Sequence, residues 1–423
     1  VPLVGVAVGA VAALAVVALV LIRGPTPPAP ARVVRGVTDQ EVLLGMSAAF
    51  SGPARELGTR MKLGLETGFA ELDADGGVAG RRLALVALDD GYQGPRALAN
   101  MAELLDQRRV FAVVGNVGTP TAQLTVPYAV QRATLFFGAF TGSSLLRKDP
   151  PDRYVFNYRA SYEEETAKMI RYLLDVRRLQ AKEIAVFAQH DAYGDAGYEG
   201  AVRMLRKLGH AEGELLRVDY ERNTTDVDAA VTALLDHHLE TVTTRNAAGR
   251  DVVRPRHPVR AVIMVATSKA AVRFIQKVKD ARLDPLFLNV SFVGSNALAD
   301  DLVELGPGYP DGVIVTQVVP HPEAGSAGVL RYREALRRFH PDQQPDFISL
   351  EGYLVAHLLG EGLRRVGRDL DTEKLVDALE GIQAFDLGLG TPLRFGPSDH
   401  QGSHRVWGTV LDAQGQFKAL DLE

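Results

Sequence analysis

An α/β protein built as two similar lobes is what this sequence predicts, and three observations carry the prediction. From Val37 onward short apolar runs alternate with amphipathic segments in βαβα order. The same alternation starts afresh at Glu164. With 46% hydrophobic and 23% charged residues in a chain of 423, there is apolar material enough for more than one core. A βαβα order demands a parallel sheet covered by helices on both faces.

In the first series Val42 to Met46 reads as a strand and Leu57 to Asp73 as a helix with apolar residues at helical spacing. Leu83 to Leu88 is a strand, Arg96 to Gln107 a helix, Val110 to Gly115 a strand, Pro120 to Arg132 a helix and Thr134 to Phe137 a strand. The second series has helices over Glu164 to Arg177, Tyr198 to Leu208, Val227 to His238 and Ala270 to Ala281. Its strands are Glu183 to Phe187, Glu214 to Tyr220, Val259 to Val265, Leu286 to Val290 and Gly312 to Thr316. Glu240 to His257 is polar and turn-forming and is expected to be a surface loop. In the tail, Phe347 to Val366 and Thr372 to Leu379 read as helices, Pro392 to Phe395 and Arg405 to Asp412 as strands, with a turn at Gln414-Gly415.

Doubly wound sheets bind ligands beyond the carboxyl ends of their strands, so the loops there are the place to look for function. In the first series they are Ala48-Ala-Phe-Ser-Gly-Pro53, Gly115-Asn-Val-Gly-Thr-Pro-Thr121 and Gly138-Ala-Phe-Thr-Gly-Ser-Ser144. Helix N-termini offer free N–H donors to a carboxylate, and Ser51, Thr119, Thr121, Thr141 and Ser143 add hydroxyls. One such loop is an ordinary helix cap; three at one sheet edge point to a polar cleft. The second series places Gln189-His-Asp-Ala-Tyr-Gly194, Ala266-Thr-Ser-Lys269 and Ser291-Phe-Val-Gly-Ser-Asn296 at the matching edge. Tyr193 offers a ring wall and a hydroxyl; Lys269, His190 and Asp191 read as solvated surface.

Several chemistries are excluded. The chain has no cysteine, which removes disulfides, thiolate zinc sites and cysteine nucleophiles. No GxSxG, HExxH or P-loop pattern is present, and Gly388-Leu-Gly390 lacks the third glycine of a dinucleotide fingerprint. His237-His238 has no carboxylate at metal-ligand spacing, and His400 reads as part of a turn. A net charge of −5 with scattered basic residues argues against nucleic acid. A ligand-binding protein without cofactor or metal, rather than an enzyme, is therefore expected; an envelope hydrolase would need a nucleophile and base that no spacing supplies.

Residues 1–22 carry no charged side chain, and about 20 such residues span the hydrocarbon core of a membrane as a helix. A proline-rich stretch, Arg23-Gly-Pro-Thr-Pro-Pro-Ala-Pro-Ala31, follows as a stiff spacer. Residues 1–23 are read as a membrane anchor or signal segment and 24–36 as a linker, which places the remainder outside the cytoplasm.

Taken together, Ser51-Gly-Pro53, Asp89-Asp90, the Gly115 to Thr121 loop, Tyr193-Gly194, Asp311-Gly-Val313 and Gly390…Phe395…His400-Gln-Gly402 resemble the type I periplasmic binding proteins that serve ABC importers, in the leucine/isoleucine/valine branch. The resemblance runs from Val37 to the C-terminus and implies two Rossmann-like lobes joined by three crossover strands, with the ligand between them. It implies lobe 1 over 37–160 plus 319–405 and lobe 2 over 161–318 plus 406–423. Carried over by position, Thr119 holds a ligand carboxylate, Ala139 acts through its backbone carbonyl, Thr141 binds on both sides and Tyr193 is a pocket aromatic. The sequence departs from the family at three places. The family's first-loop aromatic position falls at Leu57, its tyrosine position near Ser268, and the glutamate that neutralises an amino acid's ammonium near Ser291, which has no charge. Glu163 or Glu164 is the expected substitute. The resemblance implies a small polar ligand, an amino acid or related carboxylate or amide, and an ABC permease as partner. The apolar N-terminal segment keeps open a second reading, the ligand-sensing ectodomain of a membrane-tethered receptor with a transmembrane signalling partner.

Overall fold

The computed structural model describes residues 34–423 except 212–214, 246–247, 249 and 257; the apolar segment expected over 1–22 lies outside the described residues. The compact body is Arg35–Glu423. Among the described residues no helix is long and apolar enough to cross a membrane.

The first series consists of β1 (Glu41–Ala48), α1 (Arg55–Ala74), β2 (Arg82–Asp89), α2 (Gly94–Ala102), β3 (Ala112–Val114), α3 (Thr119–Gln131), β4 (Phe136–Phe137) and β5 (Val155–Phe156). Its five strands pair in parallel in the order β2-β1-β3-β4-β5. The second series consists of α4 (Tyr162–Arg171), β6 (Ile184–Gln189), α5 (Ala192–Lys207), β7 (Leu216–Tyr220), α6 (Asp228–Leu239), β8 (Thr241–Arg245), β9 (Asp251–Pro255), β10 (Ala261–Val265), α7 (Ser268–Asp280), β11 (Leu286–Asn289), α8 (Ser295–Leu305) and β12 (Ile314–Gln317). Here the parallel strands run β7-β6-β10-β11-β12. The two sheets therefore repeat one topology, with the order reversing between β1 and β3 and again between β6 and β10. Those are the switch points at which such sheets open a crevice.

Three helices follow: α9 (Ala327–Phe339), α10 (Phe347–Val366) and α11 (Thr372–Glu380). Helix α10 is apolar nearly all round because it is covered on all sides. It lies against α1 so closely that a Cβ on Gly64 would sit 2.0 Å from the Ser349 carbonyl oxygen. Only glycine tolerates that approach. The chain then returns to the second sheet, where β13 (Trp407–Leu411) and β14 (Phe417–Leu420) add antiparallel to β12.

Between the sheets the chain crosses three times, near 157–161, 318–320 and 401–406. Asn157 and Gln401 form a parallel bridge. The Asn157 N–H donates to the His400 carbonyl at 2.8 Å, and the Ser403 N–H to the Tyr158 carbonyl at 2.9 Å. The Tyr158 hydroxyl reaches the Val318 carbonyl at 3.5 Å.

Two expectations need correction. Glu240 to His257 is not simply a surface loop: β8 and β9 pair as an antiparallel hairpin, because both arms, Thr-Val-Thr-Thr-Arg and Asp-Val-Val-Arg-Pro, are rich in β-branched residues. Pro392 to Phe395 is not a strand. It makes a single bridge, Leu393 to Phe385, since Pro392 has no N–H to give a ladder.

Candidate functional site

The strand-end loops are shaped by the aspartate pair that follows β2. Asp89 accepts the Phe50 N–H at 2.8 Å, the Ser51 N–H at 3.2 Å and the Ser51 hydroxyl at 2.6 Å. Partial burial works against its charge, but those donors and Arg96 outweigh it and hold the carboxyl at about 2. Asp90 is buried, accepts the Ser47 hydroxyl at 2.7 Å and the Tyr92 N–H at 2.8 Å, and burial pushes it up to about 6. Together the pair fixes the first loop and turns the Tyr92 ring toward the second sheet. Ser51 is exposed, its hydroxyl spent on Asp89.

Thr119 opens α3 and Thr141 follows β4, and their hydroxyls meet at 2.7 Å with both side chains fully buried. Gly118 precedes Thr119 at φ 104°, where a Cβ would lie 2.4 Å from Tyr92 Cε2. Thr121 donates to the Val117 and Gly118 carbonyls at 2.5 and 2.9 Å, so its hydroxyl serves its own turn. The Ala139 carbonyl accepts the Thr141 N–H at 2.9 Å.

Across from these threonines stand residues of the second series. Phe292, fully buried, centres a box of rings: Tyr193 at 4.7 Å, Phe140 at 5.2 Å, Tyr92 at 6.1 Å and Tyr162 at 6.3 Å between centroids. Tyr162 and Tyr193 are 5.3 Å apart. Aromatic and hydroxyl groups from both sheets are thus brought together in one buried place. The Tyr162 and Tyr193 hydroxyls have no hydrogen-bond partner there. Burial raises the pKa of both phenols, so both remain donors.

Arg159, on the first crossing, lies beside this box with its guanidinium carbon 4.6 Å from the Phe140 ring centre. It is completely buried between Glu165 at 3.8 Å and Glu351 at 3.7 Å. Burial disfavours its charge, but Glu351 and Glu165 more than offset that. Glu165 accepts the Ser291 N–H at 2.8 Å, the Ser291 hydroxyl at 3.0 Å and the Thr316 hydroxyl at 2.6 Å. Ser291 in turn accepts from Arg159. Burial pushes the Glu351 carboxyl up to about 7, against the pull of Arg159.

Other expected residues lie elsewhere. Glu164 accepts the Ser161 N–H and hydroxyl at 2.6 and 2.7 Å, closing a capping box, and also contacts Gln401 and His404 on the third crossing. Glu163 pairs with Arg203 at 2.6 Å on the surface. Neither reaches the ring box; the acidic side chain behind Ser291 is Glu165, one helical step further on. Ser268 lines a pocket of about 290 Å³ at the mouth between the sheets, with Gly52, Pro53 and Asp301. Lys269 is exposed and paired with Asp301. Asp191 is not loop surface: its carboxylate caps α5 through the Tyr193 N–H at 3.0 Å. His400 is buried, stacks on Phe156 at 3.8 Å and bonds the Val155 carbonyl and Glu380 at 2.9 and 3.2 Å, an internal strut.

Residues 41–416 match the family model described as periplasmic binding protein. The chain belongs to that family. Among solved structures, a possible leucine/isoleucine/valine-binding protein from Rhodopirellula baltica SH 1 is 38% identical, with a TM-score of 0.82 over 93% of this chain and 98% of that one. The Leu/Ile/Val-binding protein homolog 7 of Brucella abortus (strain 2308) is 23% identical over 374 residues, 84% of this chain and 85% of the relative. A branched chain amino acid ABC transporter from Thermus thermophilus, solved with bound valine, shares the fold at 20% identity and a TM-score of 0.74, covering 91% and 96% of the two chains. The architecture of this binding protein is accordingly the type I fold, two Rossmann-like lobes on three crossings.

Sequence reasoning missed Arg159, Glu165, Tyr162, Phe292 and Glu351. Two of them left a trace. Glu351 interrupts the apolar run Ile348-Ser-Leu-Glu-Gly-Tyr-Leu-Val355, and Arg159 stands alone in Phe156-Asn-Tyr-Arg-Ala160. A single charge inside an apolar stretch needs a buried partner. Which partner it finds depends on packing.

Proposed function

We propose that this periplasmic binding protein closes around a small polar ligand, an amino acid or related carboxylate or amide, and presents it to an ABC permease outside the cytoplasm. The observation that carries the reading is the set of buried donors without partners, the Tyr162 and Tyr193 hydroxyls and two nitrogens of Arg159, gathered beside the Thr119–Thr141 pair. Buried polar groups of this kind are costly unless a guest or water satisfies them. The lobes are those of 37–160 plus 319–405 and 161–318 plus 406–423. Thr119, Thr141 and Tyr193 contact the ligand directly, Ser291 through Arg159, and Ser51, Ser268 and Glu164 govern the mouth and hinge. The Ala139 carbonyl and Thr121 hold the threonine loops in shape. Binding of this kind requires no covalent step, and micromolar affinity corresponds to about −8 kcal/mol.

Closure about the paired crossings shifts the population from open to closed, which a permease then senses. Trp407 begins β13 just after the third crossing, with Arg405 4.9 Å from its ring centre, and reports on that hinge. Small-angle scattering and Trp407 fluorescence across a panel of amino acids, amides and carboxylates test the reading. A smaller radius with a subset of the panel is expected; an unchanged radius with all of them would refute it.

The charge-free segment 1–22 with its proline-rich spacer favours a second reading, the tethered ectodomain of a ligand-sensing receptor. Mass spectrometry of the protein recovered from membranes separates the two, since the receptor must retain that segment.

A further inference from the structure

We infer that the ligand is a small dicarboxylate without an ammonium group, one carboxylate held by the Thr119 and Thr141 hydroxyls and the other by Arg159. This rests on the ligand-binding reading above and names its substrate class. The case is one of donors against acceptors. Arg159 Nε and Nη1 have no acceptor within hydrogen-bond range; Glu351 stands off Nε at 3.7 Å, and Glu165 lies 3.8 Å from Nη2. The Tyr162 and Tyr193 hydroxyls are unpartnered donors in the same buried place.

The acceptors are largely used. Glu165 already takes three hydrogen bonds, from Ser291 N–H, Ser291 Oγ and Thr316 Oγ1. Glu351 Oε1 is likewise buried without a partner, beside a guanidinium at 3.7 Å. An ammonium group would bring three more donors and a second positive charge beside a fixed guanidinium, with Glu351 alone to meet them. A carboxylate meets the free Arg159 Nη1 and two phenol donors instead, and hydrogen bonds to a charged acceptor are the stronger kind. At the opposite end the N-terminus of α3, thirteen residues long, adds its free N–H groups to the threonine hydroxyls.

Calorimetry on the full chain with glutarate, its monoamide glutaramate and leucine tests the assignment. Glutarate is expected to bind about tenfold or more tighter than glutaramate, because a hydrogen bond to a charged acceptor exceeds one to a neutral amide by about that factor. Leucine is expected to bind more weakly than either. Arg159→Gln should erase the preference for glutarate over glutaramate. If that variant does not fold, by circular dichroism, the two ligands on the unaltered protein still decide. Equal affinity for glutarate and glutaramate overturns the assignment, as does tighter binding of leucine. Compaction by leucine alone would leave ligand closure standing and remove only the dicarboxylate. No compaction by any probe would remove both.

Discussion

Replacing Thr119 and Thr141 by valine, singly and together, separates a structural role of this pair from a binding role. Valine keeps the shape of threonine and deletes the hydroxyl. The two oxygens are 2.7 Å apart and wholly buried, so each single variant leaves its partner's hydroxyl stranded. A stranded buried hydroxyl costs about 1–3 kcal/mol, whereas deleting both partners is nearly neutral. The Thr141 variant should be the costlier single, because Thr141 Oγ1 also accepts the Ser143 N–H at 3.3 Å. The double variant should therefore be less destabilised than the sum of the singles, with a coupling of about 1–2 kcal/mol. Ligand affinity should behave oppositely. Each lost hydroxyl is worth about 0.5–1.5 kcal/mol, roughly two- to tenfold, and the double variant should bind worst of all. Urea unfolding of the four proteins gives the first cycle, and calorimetry with the tightest-binding member of the ligand panel gives the second. A double variant as stable as the parent and equally tight in binding would refute the reasoning, since these hydroxyls would then touch nothing but each other.

Gly118→Ala should lower stability by about 1–3 kcal/mol, because φ is 104° and the new methyl would press on Tyr92 Cε2 at 2.4 Å; an unchanged urea midpoint would show that the loop yields freely. The hinge should be pH-sensitive through His404, whose pKa is raised chiefly by its hydrogen bond to Glu164, while Glu164 is held at about 2 by His404, Ser161 and Gln401 in spite of burial. A raised histidine contributes fully below its ordinary 6.5 and loses that contribution as pH climbs through the folded value; a depressed glutamate contributes above its ordinary 4.5 and loses it toward 2. The pair should accordingly help most between about pH 4.5 and 6.5, and unfolding midpoints of His404→Gln against pH should lack that maximum. Replacing residues 241–255 by an Asn-Gly turn should change stability by about 1 kcal/mol or less, since β8 and β9 pair only with each other and Glu240 already accepts the Arg256 N–H at 2.7 Å; loss of folding would show the hairpin to be part of the second core.

Much of the architecture was legible because burial leaves a period in the sequence. Helix α10 is legible to the residue, Phe347 to Val366, from a mostly apolar stretch, and β1, β2, β6, β10 and β11 each fall within about two residues of the expected bounds. The short strand β5 and helices α8 and α9 went unread, the first because two residues carry no period and the others because their apolar faces are narrow. At the site, Thr119, Thr141 and Tyr193 were accessible to reasoning since each follows a strand in a doubly wound sheet, where ligands are met. Glu164 was chosen over Glu165 because adjacent acidic residues in a first helical turn look alike in sequence. Their side chains diverge by about 100° around the helix, sending one to the hinge and its neighbour into the core.

The sequence alone determined the α/β class, the two-lobe repeat, the lack of thiol chemistry and the family, for all of these follow from order and composition along the chain. Only the tertiary structure decided that Arg159 keeps two nitrogens without acceptors between Glu165 and Glu351, that Phe292 gathers rings from both lobes, and that Ser51 and Thr121 spend their hydroxyls on the protein itself. A hydrogen-bonding group can be read from its residue type. Whether its partner is a neighbour, a distant side chain or a guest depends on distances of a few tenths of an ångström between segments more than a hundred residues apart, and local sequence does not encode them.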